Sequence, residues 1–243
     1  HAGANRRSDI PGRRIGPSAV ETPCSPTIPE EMTAEEITGT VRAFGAAASR
    51  ARSAGYDFVE VHCAHGYLLS EFLSPLTNRR SDGYGGSPAG RRRLLLEVIE
   101  EVRSAVRGDL PVMVRLGVSD NPPGLQLYEG GLSVAEGVAA ACALDDAGVA
   151  ILDLSAGICG SRPAGISGEA YYRPFAEAVS PAVRCHVVCT GGITLPQTAQ
   201  EIIQSGASDL VGIARAIAAD HEWVHNAHRE LGHRGSTWTS PSR

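Results

Sequence analysis

The sequence contains no lysine, because all 22 residues counted as Lys or Arg are arginines. Chemistry that needs a lysine amine is therefore excluded, which removes Schiff-base aldolases, pyridoxal-phosphate enzymes and P-loop NTPases. Long apolar runs are also missing, since Gly, Ser, Arg or Asp interrupts each one within about ten residues, too short for a membrane span. The net charge of -5 comes without basic blocks. We therefore expect neither nucleic acid nor a membrane surface as a partner.

The six cysteines follow no metal-binding or disulfide spacing. Several lie inside apolar segments, where a small buried thiol is commoner than a disulfide or a zinc ligand. This pattern predicts a reducing compartment and a cytoplasmic location. The first residue is His1 rather than Met, so we expect the chain to begin inside a longer protein. The cysteines are Cys24, Cys63, Cys142, Cys159, Cys185 and Cys189.

Length and composition are typical of one α/β domain, with 243 residues, 42% of them hydrophobic and 20% charged. Short β-branched runs alternate with amphipathic helical stretches, which indicates βα units. The runs are nearly continuous apolar segments, which predicts parallel strands covered on both faces. The five predicted strands are Asp57 to His62, Pro111 to Leu116, Ala150 to Ser155, His186 to Thr190 and Asp209 to Ala214.

Capping signals mark where the helices between these strands begin. Thr33 with Glu36, Ser133 with Glu136, and Thr194 with Gln197 each fit a capping box, and Ser87 followed by Pro88 fits an N-cap with proline at the first helical position. The first thirty or so residues are rich in Pro, Arg and Ser, which predicts a long loop. Five βα units fit either a doubly wound sheet or part of a (β/α)₈ barrel, and the pattern alone does not separate them.

The strongest local signal follows the first predicted strand, and it resembles a known family. The stretch reads Val61-His62-Cys63-Ala64-His65-Gly66-Tyr67-Leu68-Leu69, then Phe72-Leu73-Ser74-Pro75-Leu76-Thr77-Asn78-Arg79-Arg80-Ser81-Asp82-Gly83-Tyr84-Gly85-Gly86-Ser87. It resembles the Old Yellow Enzyme family of FMN-dependent ene-reductases, whose fourth barrel strand ends in H-x-A-(H/N)-G-Y-L and continues into N-x-R-x-D-x-Y-G-G-S. Further matches are Val114-Arg115-Leu116, Asp153-Leu154-Ser155-Ala156-Gly157, Thr190-Gly191-Gly192-Ile193, Val211-Gly212-Ile213-Ala214-Arg215 and His1-Ala2-Gly3.

The resemblance implies an incomplete (β/α)₈ TIM barrel with about five of its eight βα units. In this interpretation residues 1–243 form one FMN-binding domain, in which 1–32 is the loop after the third strand and 33–243 carry strands four to eight. The first two strands and most of the third would precede the chain. One departure from the family is Ala4, which stands where the family has arginine after its H-A-G motif.

The same resemblance implies that His62 and His65 bind the carbonyl oxygen of the substrate and that Tyr67 donates a proton to the carbon beside that carbonyl. Two imidazoles at the end of one strand suit an oxygen on which negative charge grows, and a phenol suits general acid catalysis. The alternatives are a metal site that includes Cys63, two structural histidines, and a structural tyrosine. Cys63 itself is expected to be packed in the core.

Three small residues and two arginines match the family's flavin contacts. Arg115 would lie against the flavin pyrimidine and favour its reduced, anionic form; a structural alternative is an ion pair with Glu60. Gly191 and Gly192, together with Ala214 and Arg215, follow the two strands whose loops commonly hold a phosphate in these barrels. Ala214 departs from the glycine that is usual in the family.

The function implied by the resemblance is reduction of the C=C bond of α,β-unsaturated carbonyl compounds, with hydride from NADH or NADPH passing through FMN. Its partner would be a small molecule with an activated alkene, and the family often assembles as homo-oligomers. An alternative is a non-catalytic half-barrel remnant that no longer binds FMN. A relative of the dihydroorotate dehydrogenases would need a lysine, and the sequence has none.

Overall fold

The sheet that organises the chain has five parallel strands in their sequence order, each hydrogen-bonded to the next. The structure is a computed structural model that describes residues 1–6, 9, 11–160 and 165–232. A doubly wound sheet would reverse its strand order near the middle, whereas an unbroken sequential order is that of a barrel wall. The predicted α/β fold with part of a TIM barrel is therefore confirmed.

The elements alternate as the sequence predicted. The strands are β1 (Ile15–Gly16), β2 (Glu30–Glu31), β3 (Val59–Cys63), β4 (Val112–Gly117), β5 (Ile151–Ser155), β6 (His186–Cys189) and β7 (Leu210–Val211). The helices are α1 (Ala34–Ser53), α2 (Leu68–Leu73), α3 (Pro88–Val106), α4 (Val134–Asp146), α5 (Arg173–Val179), α6 (Pro196–Gln204), α7 (Arg215–Ala219) and α8 (Trp223–Glu230). β7 is shorter than the predicted Asp209 to Ala214 run.

Helices cover one face of the sheet, so the expectation of two covered faces is wrong for the described residues. Side chains alternate along a strand, and Val61, Val114 and Leu152, which share one face, are each at most 3% exposed within the helix-packed core. The other set includes His62 and Arg115, which are only half-buried. The polar residues of the open face, among them Glu60, Arg115 and Asp153, alternate with the buried apolar set along the strands, and this alternation was the signal of the difference.

Most of the predicted helix starts are confirmed. Thr33 and Ser133 form complete capping boxes at α1 and α4, and Ser87 caps α3 through the backbone N–H of Gly90. The capping box predicted at Thr194 is wrong, because α6 begins at Pro196 with Leu195 as a cap that makes no side-chain hydrogen bond. The N–H and hydroxyl of Thr194 instead donate to the carboxylate of Glu169.

A disulfide ties the N-terminal region to the loop after β5. Cys24 and Cys159 are bonded although 135 residues separate them, which corrects the preference for buried thiols over a disulfide. The prediction failed because neither spacing nor local composition shows which loops meet in space. Cys63 is fully buried as predicted, and burial raises the pKa of its thiol.

The region before α1 is a loop, as predicted, and its regular parts are short. It contains a 3₁₀ turn at Gly3–Asn5 and the parallel pair of β1 with β2. The turn rests on the buried carboxylate of Glu71 in α2, which accepts a hydrogen bond from the Ala4 N–H at 2.8 Å. Within the described residues, no helix is long and apolar enough to cross a membrane.

Candidate functional site

A row of polar side chains crosses the open face of the sheet. The strand register pairs His62 of β3 with Arg115 of β4 and pairs Arg115 with Asp153 of β5. Residues paired in this way point to the same side of a sheet. The predicted site residues His62 and Arg115 are therefore brought together, and Asp153 joins them.

The chain turns sharply between β3 and α2, and the turn fixes the position of His65. His65 and Gly66 both have left-handed backbone, with φ of 65° and 74°, which is costly for a residue with a side chain. A Cβ on Gly66 would lie 1.7 Å from the carbonyl oxygen of Ile158. Glycine is required there, and the loop after β5 closes directly on this turn, where the Gly160 N–H donates to the His65 carbonyl at 3.2 Å.

Four aromatic rings cluster at this corner. The ring centroids of His62 and His65 are 4.9 Å apart, and those of His62 and Tyr67 are 5.4 Å apart. His1 lies 4.8 Å from Tyr67 and 5.4 Å from His62. The predicted trio of His62, His65 and Tyr67 is thus one cluster, which His1 extends.

Burial and positive charge keep both site histidines neutral. Desolvation, with smaller contributions from His62 and Arg115, lowers the pKa of His65 to about 3. The pKa of His62 is also lowered, first by desolvation and then by Arg115. At neutral pH each imidazole carries one N–H, so each can donate one hydrogen bond to a ligand oxygen without carrying charge.

Arg115 pairs with Asp153 rather than with Glu60, the structural partner considered from the sequence. The guanidinium donates from Nη1 to Oδ2 of Asp153. Glu60 lies close enough to interact with both groups electrostatically, and desolvation raises its pKa. Desolvation likewise raises the pKa of Asp153 to about 6, against the opposing effect of Arg115. The other carboxylate oxygen of Asp153, Oδ1, is buried without a hydrogen-bond partner within the described residues.

The predicted glycine turn follows β6 and is walled by two tyrosines. Gly191 and Gly192 have φ of 105° and 75°. A Cβ on Gly191 would lie 2.7 Å from the ring of Tyr172 and 2.8 Å from that of Tyr171, and one on Gly192 would lie 2.6 Å from Tyr171. Only glycine fits this turn.

The second predicted loop lies beside the glycine turn. Arg215, the first residue of α7, is exposed, and its Nη2 donates to the Tyr171 hydroxyl at 3.3 Å. Ala214 is the exposed residue before the helix. The structure thus brings Gly191, Gly192 and Arg215 around one tyrosine, as expected for two loops that share a ligand.

Three residues of this region were not singled out from the sequence. Asp153 and Ser155 are part of a motif that matched the family, but neither was given a role. Ser155 Oγ lies 2.7 Å from His65 Nε2, and Tyr172 hydrogen-bonds Ser155. Asp153 lies on the same face of the sheet as His62 and Arg115. Following the alternation of side chains along β5 would therefore have identified it.

Comparison with known proteins gives a consistent result. Residues 4–233 match the NADH:flavin oxidoreductase / NADH oxidase family. The chain is 40% identical over 232 residues to an NADPH dehydrogenase of Geobacillus sp. (strain WCH70), covering 95% of this chain and 65% of that protein. It is 38% identical over 238 residues to an NADH oxidase of Thermoanaerobacter brockii, covering 93% of this chain and 35% of that protein.

A solved structure agrees with these relatives. Morphinone reductase in complex with tetrahydroNAD superposes with a TM-score of 0.72 at 28% sequence identity, over 93% of this chain and 64% of that one. The chain therefore spans slightly less than two thirds of the length of the NADPH dehydrogenase and of this reductase.

Proposed function

Because the chain belongs to the NADH:flavin oxidoreductase / NADH oxidase family, we propose that it functions in an FMN-dependent oxidoreductase that takes hydride from NADH or NADPH. The finer proposal is that its substrate is an α,β-unsaturated carbonyl compound whose C=C bond is reduced. The observation that carries both is the single cluster of His62, His65, Tyr67 and Arg115 at the carboxyl end of consecutive parallel strands. This end of the strands is where (β/α)₈ enzymes place their active sites.

The residues present fit FMN. The turn at Gly191 and Gly192 has no room for a Cβ, and its N–H groups together with Arg215 suit a phosphate. The N–H of Ala214 would complete this set. Arg115 suits the electron-rich pyrimidine edge, and the unpartnered Oδ1 of Asp153 offers an acceptor for an N–H donor. Bound there, FMN would supply the site with a hydride acceptor and donor.

The two histidines are proposed to hold the carbonyl oxygen of the substrate. Both are neutral at pH 7, because burial and Arg115 lower their pKa values. A neutral imidazole N–H aimed at a carbonyl oxygen strengthens its hydrogen bond as negative charge develops there. The β-carbon of the conjugated system then becomes the position that accepts hydride.

Tyr67 is proposed to protonate the α-carbon. Its ring contacts that of His62 at 5.4 Å between centroids, so its hydroxyl belongs to the same cluster that would hold the substrate. Proton transfer from a positioned phenol typically contributes a factor of about 10² to 10⁴ in rate. The carbonyl held by His62 and His65 provides the electron sink, and the phenol completes the reduction of the double bond.

The first experiment asks whether the chain binds FMN and reduces an activated alkene such as 2-cyclohexenone. The protein should retain FMN after gel filtration and oxidise NADPH or NADH when the enone is added. A colourless protein that takes up no FMN would support the non-catalytic half-barrel remnant and refute the proposal.

The second experiment separates the two half-reactions in the Tyr67→Phe variant. Reduction of bound FMN by the nucleotide should proceed at the wild-type rate, whereas reoxidation by the enone should slow by a factor of about 10² or more. The matched control is Tyr84→Phe, which removes a phenol that donates to Glu97 on the outside of the domain. Equal loss of both half-reactions in Tyr67→Phe would contradict the proposed role.

A further inference from the structure

The disulfide between Cys24 and Cys159 lies beside the turn that holds His65. Cys24 Sγ is 2.8 Å from the carbonyl oxygen of Ile158, the residue before Cys159. The same carbonyl oxygen packs on the turn at Gly66, where a Cβ would lie 1.7 Å from it. One residue of the loop after β5 thus contacts the disulfide on one side and the candidate site on the other.

The disulfide joins a well-held turn to this loop. Cys24 lies in a turn closed by two backbone hydrogen bonds between Thr22 and Ser25, which are both buried. Cys159 lies in the loop after β5, which follows the strand without regular structure of its own. Among the described residues, no backbone hydrogen bond joins the turn around Cys24 to this loop. The covalent bond therefore holds the two segments together.

The disulfide is accessible to a thiol from the side of Cys159. Cys159 is exposed, whereas Cys24 is half-buried. Exchange depends on which sulfur the attacking thiolate can reach, and exposed disulfides are the labile ones. The sulfur of Cys159 is therefore the one attacked, and Cys24 is the leaving group. Once protonated, the Cys24 thiol has an acceptor in place, because the carbonyl oxygen of Ile158 is 2.8 Å from its Sγ.

We propose that this disulfide is a thiol–disulfide exchange site, at which a dithiol reductant releases the loop after β5 and loosens the turn that holds His65. One thiolate of the dithiol bonds to the sulfur of Cys159 and breaks the S–S bond, and Cys24 leaves as a thiolate that takes up a proton. The second thiol then breaks the mixed disulfide and releases Cys159 as a thiol. Two electrons and two protons pass to the protein, and the dithiol becomes a disulfide.

Release of the loop loosens the turn without dissolving it. The Gly160 N–H, which donates to the His65 carbonyl at 3.2 Å, and the Ile158 carbonyl are no longer held against the turn by the covalent bond. The turn keeps a contact from another element, because the side-chain amide of Asn5 donates to the Gly66 carbonyl. The reduced protein should therefore stay folded and hold a carbonyl oxygen less tightly through His65. Only this last consequence rests on the proposed function.

The first test maps by mass spectrometry which cysteines react with iodoacetamide in the native protein, with and without dithiothreitol. Cys24 and Cys159 should be alkylated only after dithiothreitol has been added. Cys63 and Cys189 are fully buried, and desolvation raises the pKa of each thiol, so they should stay unmodified and report that the fold persists. Alkylation of Cys24 and Cys159 without dithiothreitol, or only together with the two buried thiols, would overturn the inference.

The second test measures amide hydrogen exchange during the first minutes, in the oxidised protein and after dithiothreitol. Peptides that cover residues 64–67 and 156–160 should exchange about tenfold faster after reduction, because a local opening becomes easier, whereas peptides from α3 should not change. Equal exchange at residues 64–67 in the two states would overturn the inference. A rise of the same size in α3 would do so as well, because it would show a general loss of stability.

Two variants complete the exchange experiment. Cys159→Ser should exchange like the reduced wild type and should not respond to dithiothreitol. Cys142→Ser is the matched control, because it removes a free, half-buried thiol that donates to the Ala182 carbonyl at 3.4 Å. It should keep the response of the wild type to dithiothreitol, and loss of that response would contradict the assignment to Cys24 and Cys159.

Activity tests the link to His65 separately in the FMN-loaded protein. Weakening of one hydrogen bond to the substrate predicts a rise of about fivefold in KM for the enone in Cys159→Ser, relative to the oxidised wild type. No dithiothreitol is needed, because the variant cannot form the disulfide. An unchanged KM would overturn the link between the disulfide and His65. A protein that binds no FMN would refute the proposed function, whereas the alkylation and exchange results would still decide the exchange site.

Discussion

The buried carboxyl of Glu71 should make the protein less stable as the pH rises, and Glu71→Gln should remove that dependence. Glu71 is 1% exposed, and its Oε1 accepts a hydrogen bond from the Ala4 N–H. The other, Oε2, has no partner within the described residues. Desolvation therefore raises the pKa of Glu71 to about 8, against the effect of the backbone hydrogen bonds from Ala4 and Asn5.

The direction of this pH dependence follows from the difference between the pKa of Glu71 in the folded chain and its pKa in the unfolded chain. The unfolded chain loses this proton near pH 4.5, whereas the folded chain keeps it until about pH 8. Between these values the unfolded state binds fewer protons, so the free energy of unfolding falls by about 1.36 kcal/mol per pH unit. From pH 5 to pH 8 the loss comes to about 3.5 kcal/mol once the curvature near each pKa is included.

The assay is urea denaturation of the wild type and of Glu71→Gln at several pH values. The absolute stability of the variant also contains the cost of burying an amide, so the informative quantity is the difference between the two curves as a function of pH. That difference should change by about 3.5 kcal/mol in favour of the variant between pH 5 and pH 8.

Glu35→Gln is the control, because Glu35 is exposed in the first turn of α1. It should produce no comparable change with pH. A flat difference between the wild type and Glu71→Gln over this range would show that the folded protein holds Glu71 ionised, and the reasoning from burial would be refuted.

Two further substitutions test other parts of the site. Gly66→Ala should destabilise the fold by several kcal/mol, because its Cβ would lie 1.7 Å from a backbone carbonyl; Gly55→Ala, at a similar φ with nothing within 4 Å, should cost only about 1 to 2 kcal/mol in thermal unfolding. Asp153→Asn should raise the reduction potential of bound FMN, because the charge of Arg115 loses its partner. In a redox titration Glu60→Gln should give a smaller rise, and a lower potential in Asp153→Asn would contradict this account.

The helix starts and the strand positions could be predicted from local sequence because their causes are local. Thr33 and Glu36 lie within one turn of each other, so their reciprocal hydrogen bonds depend on no other part of the chain. Thr194 has a similar neighbourhood, but Glu169 takes its donors. A competing partner 25 residues away is not visible in a local pattern.

The residues that form the site could be predicted from the sequence, whereas the hydrogen bonds between them could be predicted less well. The motif around His62, His65 and Tyr67 indicated one cluster, and the rings indeed lie together. The partner of Arg115 depended on strand register, which places Asp153 rather than Glu60 within hydrogen-bond distance. The hydrogen bond between His65 and Ser155 depends on the left-handed turn at His65, which rotates the ring away from the alternation of β3.

The bond between Cys24 and Cys159 closes a covalent ring around most of the molecule. α1, α3, α4 and the strands β3 to β5 all lie between the two bonded residues. A protease that cuts the backbone once inside this ring opens it without releasing a fragment. Cleavage of the oxidised protein would therefore go unnoticed on an electrophoresis gel until a thiol reductant separates the two pieces.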